Sequence, residues 1–203
     1  MPFSGSGDPQ ISLLYVDDDP ALLEIGKAFL EQSGDIRVTT APDAKDAIRL
    51  IGDQHFDVIV SDYQMPDMDG IAFLKHLRQS GNTIPFIIFT GKGREEVVIE
   101  ALNCGADFYL QKGGGTITLY TELVHFIRQS IQMRRIQQDY DEQQQCIHDL
   151  QNANDMIQSV GPDGCFFYVN KRWLDTLGYQ ETDVPNLTLF DIIHEESLQH
   201  CME

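Results

Sequence analysis

Positive charge is scarce in this chain. Lysine and arginine together number 14 against 32 aspartates and glutamates, a net charge of −18 over 203 residues. Such a surface repels phosphates and argues against direct nucleic-acid binding. Cysteine is thin as well. Cys104, Cys146, Cys165 and Cys201 stand apart, with no CxxC pair and no metal-ligand spacing. That usage fits reduced thiols in a cytoplasmic protein. No apolar run approaches the roughly 20 residues that span a bilayer, so membrane insertion is not expected. The opening MPFSGSGDPQ lacks an apolar core; residues 1–10 read as a flexible lead-in rather than a signal peptide. In such a setting Asn186-Leu187-Thr188 is a chance match to a glycosylation acceptor. What the chain does have is 42% hydrophobic residues, enough for a packed core.

Those residues follow two periods. ISLLYVD, IRVTTA, FDVIVSD, IPFIIFT and ADFYLQK are apolar runs of strand length. Between them PALLEIGKAFLEQSG, DAKDAIRLIGD, DGIAFLKHLRQSG and REEVVIEALNCG carry apolar residues at helical spacing, several ending in glycine. Five strands alternating with helices predict a doubly wound α/β domain with a parallel sheet covered on both faces. Sites in such sheets form beyond the carboxyl ends of the strands.

The strand ends carry the chemistry. In VIVSDYQMPDMDG, residues 58–70, a buried-type run stops at Asp62. Asp17 and Asp18 end the first strand, Thr90 the fourth and Lys112 the fifth. Carboxylates gathered at one sheet edge repel one another, and a divalent cation relieves the conflict. Magnesium prefers oxygen ligands, few of them from protein, and commonly a phosphate oxygen. A carboxylate can attack phosphorus, while the metal, an ammonium and a hydroxyl stabilise the transferred group. Taken singly these residues have plainer uses. Asp19 is expected to cap the following helix, with Pro20 in its first turn. Met65 and Met68 read as packing or loop residues, and Pro66 and Gly70 as shapers of the loop.

The order VDDD, SDYQMPDMDG, FTG and YLQK, at spacings of 45, 28 and 22 residues from Asp17 through Asp62 and Thr90 to Lys112, resembles the receiver domain of two-component response regulators. The resemblance implies a flavodoxin-like sheet of strand order 2-1-3-4-5 over residues 11–128. It implies that Asp62 accepts a phosphoryl group from a histidine kinase or phosphotransfer protein. Asp18 and Asp62 then bind Mg2+ directly, with the backbone carbonyl of Gln64, and Asp17 binds through water. Lys112 pairs with the phosphoryl group, Thr90 moves toward it, and Tyr109 matches the aromatic switch position. In one respect the chain departs from the family pattern. Gly113, not proline, follows Lys112, so a trans bond is expected there, with the Gly113-Gly114-Gly115 run supplying the turn through positive φ.

Residues 116–158 lack proline, and no glycine falls between Gly115 and Gly161. They read as one long helix, with a linker over 129–154. A heptad places Phe126, Met133, Tyr140, Ile147 and Asn154 in one row and Gln129, Ile136, Gln143, Leu150 and Ile157 in the other, a weak seam for a homodimer. Residues 155–203 change character. MIQSV, GPDG and CFFYVN predict two strands around a turn, and KRWLDTLGY a short helix closed by Gly178. With FDIIHEES after them, these motifs resemble the opening part of a PAS domain, a partial α+β unit, with Glu195 in place of the proline that often follows the residue at His194. Two further readings compete with a non-enzymatic phosphoacceptor. His148 in HDLQN faintly resembles a kinase phosphoacceptor box, which would make the chain the front of a hybrid sensor histidine kinase. A Mg-dependent phosphatase on the same fold is the other, since fold does not fix chemistry.

Overall fold

The computed structural model describes residues 10–91 and 95–192. The lead-in over residues 1–9, together with His194, Glu195 and Cys201, lies outside them. Contacts divide the chain into two units, residues 1–136 and 137–203.

The first unit alternates β1 (Ile11–Val16), α1 (Pro20–Glu31), β2 (Ile36–Ala41), α2 (Ala44–Asp53), β3 (Val58–Ser61), α3 (Gly70–Gln79), β4 (Phe86–Thr90), α4 (Glu95–Asn103) and β5 (Phe108–Gln111), and ends in α5 (Thr116–Asn152). All five strands are parallel, in the order β2-β1-β3-β4-β5. The expected sheet and its order are therefore observed. Helix starts follow their caps. Asp19 accepts from the Ala21 amide at 2.8 Å, with Pro20 in the first turn, and Asp43 and Asp69 cap α2 and α3 in the same way.

The central strands are buried on both faces because each face has its own core. Leu14, Val16, Ile59, Phe86 and Ile88 pack against residues of α2, α3 and α4, such as Ala47, Phe73, Leu74 and Ala101. The alternate residues Leu13, Tyr15, Val58, Val60, Ile87 and Phe89 pack against Leu30 of α1 and Tyr120, Leu123, Ile127 and Ile131 of α5. Successive strand residues point to opposite faces, so this division follows directly from the pleat. Two arginines hold α5 down at its sides. Arg128 makes a bidentate pair with Asp35, and Arg134 donates to the carbonyl and hydroxyl oxygens of Thr83.

The second unit holds the end of α5, an antiparallel hairpin of β6 (Gln158–Val160) and β7 (Phe166–Val169), α6 (Lys171–Leu177), a 3-10 turn at Val184–Asn186 and α7 (Leu189–Ile192). The hairpin and α6, capped at Gly178 in the left-handed conformation, match expectation. The long helix does not run to 158; it ends at Asn152. The cause is Asn170, fully buried. Its amide donates to the carbonyls of Leu150 and Asp155, and its oxygen accepts from the amides of Ile157 and Trp173. One side chain thus closes α5, pins the next segment and caps α6. Asn154 and Ile157 therefore fall outside the helical seam. Phe126 stacks on Phe108 at 4.7 Å and packs against the α1–α5 core, so it belongs to the receiver interior as well.

Gly70 fixes the geometry of the β3–α3 loop. A Cβ there would stand 2.3 Å from the backbone oxygen of Asp62. Its amide donates to the Tyr63 carbonyl at 2.8 Å, so the backbone has nowhere to retreat. We expect Gly70→Ala to lose about 1–3 kcal/mol of unfolding free energy in denaturant titration, the usual cost of overpacking. An unchanged midpoint would show that the loop yields without strain.

Candidate functional site

In a parallel sheet of this order, every strand points its carboxyl end to one edge. The direction in which successive strands are added reverses between β1 and β3, which opens a crevice at that edge. Val16 pairs with Ser61, and the Asp62 amide donates to the Val16 carbonyl at 2.8 Å, so Asp17 and Asp62 lie side by side. Thr90 pairs with Gln111, and the Lys112 amide donates to the Thr90 carbonyl at 2.6 Å. The structure thus gathers Asp17, Asp18, Asp62, Gln64, Thr90 and Lys112 around one crevice of about 360 Å³. Asp18 is exposed, whereas Asp17 is 1% and Asp62 7% exposed.

Two buried carboxylates need compensation. Lys112 Nζ supplies it, 2.6 Å from Asp17 Oδ2 and 2.7 Å from Asp62 Oδ1. The ammonium also lies 5.3 Å from the centre of the Phe89 ring, a cation–π contact. The other oxygens are occupied too: Asp17 Oδ1 accepts from the Asp19 amide at 3.0 Å and Asp62 Oδ2 from the Gln64 amide at 2.5 Å. Burial pushes the Asp62 carboxyl above its ordinary value, and the Lys112 hydrogen bond only partly offsets this. Burial alone would lower Lys112, but its hydrogen bonds to Asp17 and Asp62 outweigh burial and raise it.

Oxygen donors line the crevice, and none of the residues around it is a soft ligand, so the set suits a hard cation such as magnesium. Among the described residues, no three acidic, histidine or cysteine side chains already converge as a chelating group. Lys112 holds two of the three carboxylates. Asp62 Oδ1 retains a lone pair for a further partner.

Tyr109 is half-buried on β5 and packs with the α2–α4 core, away from the residues that hold α5. Burial, then the nearby Asp62 and Tyr63, raises its phenol. Gly114 supplies the positive φ expected after Lys112, at +81°, while Gly113 and Gly115 do not. Met65 is buried in the core and Met68 packs at its margin, and the loop between them turns at Asp67 with φ of 64°. His148 stands on exposed α5 beside Asn152. Sequence reasoning overlooked Tyr15, whose hydroxyl lies 3.5 Å from Asp17 Oδ2. A signal was present: a tyrosine in an otherwise aliphatic central strand, two residues before a site aspartate, shares that aspartate's face.

Sheet order, switch point and crevice define a doubly wound, flavodoxin-like domain with a polar site at its strand ends. The model of the response regulator receiver domain matches residues 13–124. This chain belongs to that family. It is 40% identical over 105 residues to an uncharacterised 14.6 kDa protein of Leptolyngbya boryana, covering 51% of this chain and 79% of that protein. It is 36% identical over 104 residues to the response regulator Rre1 of Synechocystis, covering 50% of this chain and 45% of Rre1. The chain thus spans less than half the length of that response regulator. Among solved structures, the Francisella response regulator 1452 receiver domain matches with a TM-score of 0.56 and 35% identity, over 63% of this chain and 99% of that one. A CheY-like receiver domain protein of Methanospirillum hungatei matches with the same TM-score and 28% identity, over 63% and 98%. Among the described residues, no helix is long and apolar enough to cross a membrane.

The bridge sets a pH dependence. Lys112 is raised, so its contribution to stability is complete below the ordinary lysine value of 10.5 and lost as pH climbs through its higher folded value. Asp62 is also raised, so ionising it costs stability; that cost is absent well below 3.8 and complete above its folded value. We expect Asp62→Asn to stabilise the metal-free protein at pH 7, with the gain vanishing at low pH. Lys112→Met should lose about 2–4 kcal/mol at pH 7, somewhat less than for a fully buried pair because the lysine keeps some exposure. Denaturant titrations across pH decide both; a pH-independent deficit in Lys112→Met would contradict the bridge.

Proposed function

We propose that this chain is the phosphoacceptor module of a two-component relay. Asp62 takes a phosphoryl group from a phosphohistidine on a histidine kinase or phosphotransfer protein. The observation that carries this reading is the buried Asp62 carboxylate in the crevice, 2.7 Å from Lys112 and in company with Asp17, Asp18 and Thr90. An Asp62 oxygen attacks phosphorus, the P–N bond breaks, and the imidazole leaves with the electron pair. The product is an acyl phosphate on Asp62. Burial strips water from the attacking carboxylate, Lys112 balances charge on the transferred group, and the Thr90 hydroxyl bonds to it.

Asp18, Asp62 and the Gln64 carbonyl would hold Mg2+ directly, and Asp17 through water. When bound, the ion supplies positive charge to the phosphoryl oxygens. The chain itself acts as an acceptor rather than as a kinase, and a cytoplasmic location fits that role.

The output runs through α5, continuous from Thr116 to Asn152. Residues 155–203 form the start of a PAS domain in this reading. Support comes from the hairpin, α6 and the Asn170 hub that joins them to the end of α5. Met133, Ile136, Tyr140, Ile147 and Leu150 stand exposed at heptad positions of α5. A second copy of this helix is the partner such a row suits.

Acetyl phosphate with magnesium should add one phosphoryl mass to the intact chain, and Asp62→Asn should abolish it. Asp18→Ala should weaken magnesium binding roughly ten- to hundredfold by titration, at least the loss seen on removing an outer-shell partner. Undiminished labelling of Asp62→Asn would sink the assignment of the acceptor. Sedimentation should show a dimer that Ile147→Asp dissolves; a monomer at every concentration would remove the paired helix.

A further inference from the structure

A route from Thr90 through Tyr109, the switch position that the resemblance implies, to the long helix meets a difficulty. Tyr109 packs with the α2–α4 core, whereas α5 packs on the other face of the sheet. Another residue joins the crevice to the α5 face. Tyr15 is 0% exposed, and its hydroxyl lies 3.5 Å from Asp17 Oδ2, the oxygen that Lys112 also holds. Tyr15 and Tyr120 lie in one core cluster, both against Phe89, close enough for their phenols to interact electrostatically. Tyr120 belongs to the second turn of α5.

The surroundings are shaped for this tyrosine. In α1 the facing residue is Gly26, where a Cβ would stand 2.4 Å from the Tyr15 ring. Phe89 lies 6.4 Å from Tyr15 and 5.9 Å, edge-on, from Tyr120, and the Lys112 ammonium faces the same Phe89 ring. Phe29 of α1 stacks on Tyr120 at 5.2 Å. Phenylalanine at 15 would fill the same volume without burying a hydroxyl, which is costly unless partnered. The hydroxyl is therefore the chemical content of the position. It extends the polar chain of Asp62, Lys112 and Asp17 to Tyr15, on the face where Tyr120 packs. Burial holds the Tyr15 phenol far above its ordinary range, so it stays neutral and able to donate.

We propose that Tyr15 is a positioning residue that steadies Asp17 in the bridge and, through Tyr120, ties the state of the crevice to the first turns of α5. The proposal rests on the phosphoacceptor reading for its signal, though not for the tie itself. When Asp17 and Lys112 take up a new partner, Asp17 Oδ2 changes its hold on the Tyr15 hydroxyl. The Tyr15 ring and its dipole then shift against Phe89 and Tyr120, and α5 responds on the face it packs.

Hydrogen exchange followed by mass spectrometry tests this on the full chain. In the wild type, acetyl phosphate with magnesium should change exchange across residues 116–124 at least about fivefold, the low end of ordinary coupling between sites. In Tyr15→Phe, intact mass should still show labelling at its end point, while the exchange change over 116–124 falls below about half. Tyr120→Phe should label at the wild-type rate and show the same loss of response. Without acetyl phosphate or magnesium, both variants should exchange faster than the wild type over 116–124. A full response in labelled Tyr15→Phe would overturn the proposal. If the wild type takes no phosphoryl group, the acceptor reading fails, and the metal-free comparison still decides: exchange in Tyr15→Phe equal to the wild type would refute the tie.

Discussion

Everything at the sheet edge depends on one bridge, the Lys112 ammonium held between the carboxylates of Asp17 and Asp62. Two nearly buried anions on adjacent strands would force those strands apart or take up protons. A cation of the right reach, delivered from β5, lets both remain. The same bridge keeps Asp62 poised, since burial raises its pKa while Lys112 restrains the rise. A site of this kind is unstable by design and stable by partnership. Its partner is a side chain in the resting chain, and a metal ion and a phosphoryl group in the reaction proposed for it.

The bridge also explains why the fold separates its faces as it does. Asp17 continues the row of Leu13 and Tyr15, and Lys112 follows Leu110; those rows build the core that receives α5. Phe86 and Ile88 lead to Thr90, and with Tyr109 they belong to the core under α2, α3 and α4. In the reaction proposed, a change in the bridge would be felt first on the α5 side, and a movement of Thr90 on the opposite side. Two outputs from one site become available because a β-strand sends neighbouring residues to opposite faces. The helix that leaves the unit packs on the side where Tyr15 and Tyr120 meet.

Much of this was legible from residues alone. The five βα units, the caps at Asp19 and Gly178, and the gathering of Asp17, Asp62, Thr90 and Lys112 at one edge all followed from period and strand-end position. Errors fell where distant parts of the chain decide. The long helix stops at Asn152, where Asn170, far along the chain, takes the Leu150 carbonyl in its last turn and the Asp155 carbonyl just beyond it. Phe126 left the proposed seam because Phe108 was waiting for it. A heptad count treats a helix as isolated and has no means of seeing either partner. Tyr15 was passed over for the same reason, since its meaning lies in Gly26 and Tyr120.

Taken by itself, the sequence determined which residues can form strands and helices, which acids and bases end those strands, and the family to which residues 13–124 belong. These properties are local or one-dimensional: periodicity, capping and the order of motifs along the chain. Only the tertiary structure decided that Lys112 neutralises two carboxylates at once, that Tyr109 and α5 lie on opposite faces, and that Tyr15 sits beside Asp17 in the core that receives α5. Each of these is set by distances between residues far apart in sequence. Such distances follow from the packing of the sheet between two layers of helices, and no local pattern carries them.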